Sequence, residues 1–307
     1  MRDFMIIIIS IFVILLSVLG VLGGCGYLAY CMIHAQSEAI TQTPTDYGLY
    51  YEDITFEGMK DKIHLSGWWI PAQSKSRFIS SNHTIILSHG YHNARSLEGI
   101  QLLDLVRVLV RSRYNVMMYD LRNCGYSQKT VITGGYLEKY DLLGAIEYVK
   151  KNKQSSHIAL MGWSMGAAIS LFAGILSEDV EVIIADSPFS DLEECLNVTM
   201  PVYTKLPRFP FTVVTLRIVS RLLKIDMKEL RPIEAIRSLK DKPLLLIHAK
   251  EDEIIPSEET KAIYEAIPHK GKVELWIPNI KGHILGHKLQ KKEYQRRVLY
   301  FLKKYFR

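Results

Sequence analysis

The chain opens on an apolar stretch, Phe4 to Ile33, that contains no charged residue. It is long enough to cross a bilayer as a helix. From Tyr50 the pattern changes to short apolar runs that alternate with amphipathic segments. Tyr50–Phe56 and Ile63–Ile70 read as two strands joined by a turn around Gly58 to Asp61. Thr84–Leu87, Tyr114–Tyr119, Ile158–Met161 and Val180–Ala185 read as buried strands. Between them, Leu97–Arg111, Gly135–Lys151 and Ala167–Leu176 read as helices; in the first, Leu102, Leu103, Val106, Leu109 and Val110 recur at helical spacing. This alternation predicts an α/β fold, a mostly parallel central sheet with helices on both faces.

The alternation stops between Asp186 and Lys242. A structureless loop of that length is out of character for a compact domain, so residues 187–242 read as short helices forming a cap, including one over Phe211–Leu223. Its apolar surplus either packs on the core or lines an apolar pocket. Strand Pro243–His248, helix Ser257–Ile267, strand Val273–Ile277 and helix Lys292–Phe306 then resume the order. The expected organisation is a transmembrane signal anchor over 1–33, a polar stalk over 34–49 and one α/β domain over 50–307.

Composition narrows this picture. With 307 residues and 48% hydrophobic content, the chain can bury a substantial core. The net charge of +6 is modest, the basic stretch Lys288–Arg307 reads as a solvated helix face, and no nucleic-acid motif accompanies it. Leu22-Gly23-Gly24-Cys25 loosely resembles a lipoprotein cleavage box, but the apolar run continues past it through Tyr30, which favours an uncleaved anchor. Arg2 precedes the span and no Lys or Arg follows until Lys60. The positive-inside rule then keeps the N-terminus cytoplasmic and places the domain outside a single-pass cell membrane. Of four cysteines, Cys25 and Cys31 fall in the span, and Cys124 and Cys195 read as buried free thiols.

Candidate chemistry centres on His157–Ala168, HIALMGWSMGAA: a strand, the turn Gly162-Trp163-Ser164-Met165-Gly166, and a small-residue helix. Strand, G-x-S-x-G, helix is a nucleophile elbow, in which the tight turn holds the serine hydroxyl above the sheet edge at a helix N-terminus. Such a serine needs a base, and the base needs a carboxylate. On an open parallel sheet both come from loops after strands. Asp252 is selected among Glu251, Asp252 and Glu253 after the strand ending at His248, and His283 follows Gly282 after the strand ending at Ile277. His283 and His287 stand four apart, as paired metal ligands can, but no acidic or cysteine partner is near them in sequence. No metal and no cofactor is therefore expected.

The order Ser, Asp, His resembles the α/β-hydrolases. His89-Gly90-Tyr91 is similar to that family's H-G-x turn, and the resemblance implies an oxyanion hole made by the backbone N–H groups of Tyr91 and Met165. Asp120 to Ser127 resembles the family's D-x-R-G-H-G-x-S, with Asn123 and Cys124 in place of Gly and His. Pro243 to Pro256 resembles its acid-strand pattern, with Ala249 in place of a glycine. The likeness runs from about Tyr50 to the C-terminus and is nearest to the bacterial membrane-anchored branch by the serine aminopeptidases and acyl hydrolases. It implies a serine hydrolase that cleaves a carboxylic ester or other acyl bond of a small molecule. A peptidase of the same fold and an inactive cell-surface binding module are the alternatives.

Overall fold

The computed structural model describes residues 1–74 and 77–307. Eight strands form one sheet: β1 (Glu52–Glu57), β2 (His64–Ile70), β3 (His83–Ser88), β4 (Asn115–Tyr119), β5 (His157–Trp163), β6 (Val180–Asp186), β7 (Leu244–Ile247) and β8 (Val273–Trp276). Their order is β1-β2-β4-β3-β5-β6-β7-β8. The β1–β2 and β2–β4 pairs are antiparallel, and the remaining pairs are parallel. The sheet is mostly parallel, as the alternation of strands and helices predicts.

The period-2 alternation of side chains along each strand divides the core into two layers. Ile158 and Leu160 of β5 face a layer shared with helices α3 (Glu138–Asn152), α4 (Met165–Leu176) and α8 (Ser257–Ala266). Ala159, Met161 and Trp163 face the opposite layer, under α2 (Leu102–Arg111) and α9 (Lys291–Tyr305). Both faces of the sheet are covered, which explains why its central strands are apolar without interruption.

Two helices start later than their apolar spacing predicts. The one expected from Leu97 begins at Leu102, after a short turn over Glu98–Ile100. There the Glu98 carboxylate accepts the backbone N–H groups of Thr41 and Gln42, and Leu97 and Gln101 take positive φ. The one expected from Gly135 begins at Glu138, whose carboxylate accepts the N–H groups of Thr133 and Gly135. In both places a glutamate side chain satisfies backbone donors of a neighbouring loop segment, which holds the residues before the helix out of helical conformation.

Between β6 and β7 lie α5 (Leu192–Thr204), a wide turn over Arg208–Thr212, α6 (Val213–Leu223), a tight turn over Met227–Leu230 and α7 (Pro232–Ala235). Asp191 caps α5 by accepting the N–H groups of Glu193 and Glu194.

At the N-terminus, α1 (Arg2–Ile33) is long and apolar enough to cross a membrane. Its side chains are exposed as far as Leu22 except for half-buried Val21, whereas Cys25, Ala29 and Ile33 are buried against the rest of the protein. The following segment does not stand off as a polar stalk. Glu38 N–H donates to the His92 carbonyl, the Asn123 side chain donates to the Ala35 carbonyl, and the Thr41 hydroxyl donates to Glu98. Pro44 starts a short turn that ends at Gly48.

Candidate active site

Ser164 sits at the junction of β5 and α4 with φ 55° and ψ −123°, a conformation rarely adopted by a residue with a side chain. Both flanking glycines are required sterically. A Cβ on Gly162 would lie 2.1 Å from the Gly166 carbonyl oxygen, and one on Gly166 would lie 2.2 Å from that of Ser88. The turn is held from beneath as well, because Ser164 N–H donates to the Asp186 carbonyl at 2.8 Å.

Three side chains from three loops meet at this turn. His283 Nε2 lies 2.8 Å from Ser164 Oγ, and His283 Nδ1 lies 2.7 Å from Asp252 Oδ2. An ionised carboxylate only accepts, so Nδ1 carries the proton, and Nε2 is free to accept from the serine hydroxyl. Asp252 is buried, and burial pushes its carboxyl upward. Hydrogen bonds from His248 and His283 outweigh that and hold it well below the usual carboxylate range. Its other oxygen accepts the N–H groups of Ile254 and Ile255 at 2.8 and 3.0 Å. Neither Glu251 nor Glu253 joins the cluster, and Glu253 pairs with Lys281 on the surface.

His248 was not singled out by the sequence. Its Nε2 donates to the Ile255 carbonyl at 2.8 Å and lies 3.3 Å from Asp252 Oδ2. Its Nδ1 meets the Thr260 hydroxyl at 2.6 Å. Its place at the end of a buried strand, four residues before the acid, was the available signal. The network behind the elbow was missed too. Tyr294 donates its hydroxyl to Asp186 at 2.7 Å and accepts from the Trp163 indole at 3.2 Å, while the Ser187 hydroxyl takes the other Asp186 oxygen.

His287 points elsewhere. It is buried, donates from Nδ1 to the Ile100 carbonyl at 2.9 Å and accepts from Gln295 at 3.0 Å. Burial lowers its pKa, so the ring stays neutral.

Tyr91 and Met165 flank the serine. A Cβ on Gly90 would meet Ser164 Cβ at 3.2 Å, so the His89–Tyr91 turn lies directly against the elbow. His89 is buried with a lowered pKa, accepts from the Leu121 N–H at Nε2 and donates to the Gly90 carbonyl, which locks that turn. Met165 opens α4, and the first N–H groups of a helix have no partner within it. The motif from Asp120 to Ser127 is structural. Asp120 forms a buried ion pair with Arg95 and accepts the Tyr126 N–H. Arg122 bridges Asp141 and Asp61.

Above Ser164 is a cavity of about 690 Å³, a volume typical of small-molecule sites. Ser164, Met165, Tyr91 and His283 form its floor. Its roof comes from α5 and α6 and from the last turns of α1, including Leu28, Met32, Met200, Leu216 and Val219. Among the described residues no Asp, Glu, Lys or Arg lines it. Cys195 also lines it, and Cys124 is buried below; burial pushes both thiols up to about 12, which keeps them protonated and unreactive. A serine hydroxyl bonded to an imidazole that is itself oriented by a carboxylate can be deprotonated as it attacks a carbonyl carbon. The apolar roof provides room for the chain attached to that carbon.

Comparison with known proteins agrees with this geometry. The family model described as the prolyl oligopeptidase family matches residues 134–307. The YqkD protein of Bacillus subtilis is 30% identical over 227 residues, covering 72% of this chain and 71% of its own. A lysophosphatidylserine lipase of Xenopus tropicalis is 24% identical over 247 residues, covering 72% of this chain and 59% of its own. Among solved structures, the esterase Pf2001 of Pyrococcus furiosus has a TM-score of 0.73 at 28% identity, covering 88% of this chain and 99% of its own. The strand order, the helices on both faces and these likenesses lead to one assignment: the chain belongs to the prolyl oligopeptidase family, within the α/β-hydrolase superfamily.

Proposed function

We propose that this protein is a membrane-held serine hydrolase of the carboxylesterase and acyl-hydrolase class. Ser164 Oγ attacks the ester carbonyl while His283 Nε2 takes its proton. The oxyanion that forms is held by the N–H groups of Tyr91 and Met165. His283 then gives the proton to the departing alkoxide, which leaves as the alcohol, and an acyl-Ser164 ester remains. Water attacks that ester, again losing a proton to His283, and the carboxylic acid departs as Ser164 is reprotonated. Asp252 holds the imidazole in the required tautomer throughout. The observation that carries this reading is the chain of 2.8 and 2.7 Å contacts from Ser164 through His283 to Asp252. It lies on the floor of a cavity whose roof is apolar.

The esterase and lipase names among the similar proteins support ester cleavage. The family's own description favours a peptidase. The uncharged cavity lining weighs towards an acyl chain, since a peptide's ammonium terminus calls for a carboxylate partner. The apolar run of α1 and the position of Arg2 before it support a single-pass anchor with the domain on the extracytoplasmic side.

A fluorophosphonate probe and a series of aryl esters of increasing chain length, run beside aminoacyl amides, test the reading. Labelling of wild type but not of Ser164→Ala, with esters cleaved faster than amides, is the expected result. Preference for amides would make the protein a peptidase. No labelling and no turnover of any acyl substrate would leave a binding module.

A further inference from the structure

The apolar helix and the cap are one unit. The Thr215 hydroxyl of α6 donates to the Cys25 carbonyl at 3.3 Å, and Cys25 Sγ lies 3.7 Å from the Phe211 carbonyl oxygen. One turn further along α1, Leu28 already lines the cavity. Further still, the Tyr91 hydroxyl donates to the Met32 carbonyl at 2.8 Å. Burial pushes that phenol up to about 12, so it remains a donor. The contact of α1 with the cap therefore begins at the level of Gly24 and Cys25, and from Leu28 onward the helix walls the cavity down towards the serine.

That level coincides with the end of the part of α1 that is exposed at every position but Val21. Phe4 to Gly23 amounts to about 20 residues, or about 30 Å of helix, the thickness of a bilayer's hydrocarbon core. A bilayer around this stretch comes down onto the tip of the cap, where α5 ends and the turn over Arg208–Thr212 leads into α6. The tip suits such a surface. Val202, Tyr203 and Phe209 are exposed there, Phe209 to 74%, with the exposed cations Lys205 and Arg208 between them. Arg208 reaches only a neutral partner, the Asn197 side chain, and residues 195–225 contain no acidic residue. Tyr27 and Tyr30 are exposed on α1 just below the uncovered stretch, where aromatic residues mark a membrane–water interface. Exposed apolar side chains interleaved with cations fit the headgroup region of an anionic bilayer.

We propose that the tip of the cap is seated on the bilayer that α1 enters, and that the substrate is a lipid acyl ester drawn from that bilayer along α1 into the cavity. This rests on the serine-hydrolase reading above and adds the source and class of the ester. Neither Val202 nor Phe209 lines the cavity, so the seat and the chemistry can be tested separately.

The test uses full-length protein reconstituted in phosphatidylcholine–phosphatidylglycerol vesicles that carry palmitoyl lysophospholipid. Soluble p-nitrophenyl butyrate and fluorophosphonate labelling are measured alongside. The double variant Val202→Asp, Phe209→Asp should lose at least about tenfold on the vesicle-borne ester, because its apolar contact with the interface is gone. Butyrate turnover and labelling should stay within about twofold, since the floor of the site is untouched. A second variant, Leu28→Trp, should shorten the preferred acyl chain in the aryl ester series by filling the α1 wall. Equal vesicle rates for wild type and the double variant would overturn the membrane seat, and no cleavage of the vesicle-borne ester by a wild type that cleaves butyrate would overturn the lipid substrate. Unchanged chain preference in Leu28→Trp would remove α1 from the acyl path. A wild type that neither labels nor cleaves butyrate would remove the serine-hydrolase reading itself.

Discussion

The floor and the roof of the cavity are built by opposite means. On the floor, almost every polar atom near Ser164 has a partner: His283 holds Asp252, His248 supports it, and Tyr294 braces Asp186 behind the elbow. Backbone segments approach so closely that glycine is the only residue tolerated at positions 162 and 166. The roof is apolar side chains from α1, α5 and α6, joined to one another by few directional bonds. A reacting group must be held to a fraction of an ångström, whereas an acyl chain asks only for volume and the absence of water. Substitutions on the floor should therefore act on every substrate alike, and substitutions in the roof should sort substrates by length.

The most severe way to break this division is through the three residues that meet at the elbow. Ser164→Ala, Asp252→Asn and His283→Ala should each cost roughly four orders of magnitude in turnover on every ester, with the fold intact by circular dichroism. His287→Ala should stay within about tenfold, since its ring bonds to Ile100 and Gln295 and not to the cluster. A dead His287→Ala beside an active His283→Ala would reverse the assignment.

Acid exposes the electrostatic part of the floor. The Asp252 pKa is lower in the folded protein than its unfolded value near 3.9. Its ionised form thus adds stability that is fully present above about pH 4 and is lost as pH falls towards the folded value. Thermal melts of wild type and Asp252→Asn should differ most near neutrality and converge in acid. A gap that widens below pH 4 would contradict the depressed pKa.

Tyr294→Phe removes the hydroxyl that satisfies the buried Asp186 carboxylate. The expected loss is about 1–3 kcal/mol in chemical denaturation, without a change in preferred chain length. A shift in chain preference would mean that the floor and roof are not separable.

The smallest effect belongs to the roof. Val219→Ala with Leu216→Ala enlarges the cavity and should move the preferred ester to longer chains. The rate on the shortest ester should change by only several-fold, on the order of 1 kcal/mol. Equal losses across the whole series would end the distinction.

These two regions also differ in how far the sequence alone makes them legible. Ser164, Asp252 and His283 could be singled out because each follows a strand of the sheet, and the side chains of Ser164 and Asp252 each lie within hydrogen-bond distance of His283. Gly162 answers a contact within the strand–turn–helix unit and Gly166 a contact with the end of β3, but both stand in one five-residue motif, so the signal is contiguous. The alternation of strands and helices was readable for the same reason, since periodicity reports which face of each element is buried. Helix starts are less legible, because Glu98 and Glu138 tie the residues where α2 and α3 are expected to begin into loop bonds that apolar spacing does not register.

What required the tertiary structure was everything made by residues far apart in the chain. Cys25 meets Thr215 and Phe211, and Tyr91 meets Met32. The apolar run of α1 reads as a membrane segment throughout, because burial against lipid and burial against a cap both ask for the same residues. Only packing separates the stretch up to Gly23 from the turns that wall the cavity. His248 and Tyr294 were hidden likewise, since a polar side chain on a buried element shows its role only when its partner is in view. The sequence by itself determined the sheet and the elbow, whose signals lie in contiguous stretches, and it singled out Asp252 and His283 as candidates on loops after strands. The tertiary structure decided which apolar surfaces face one another, because hydrophobic contact is non-directional and leaves no mark of its partner in the residues that make it.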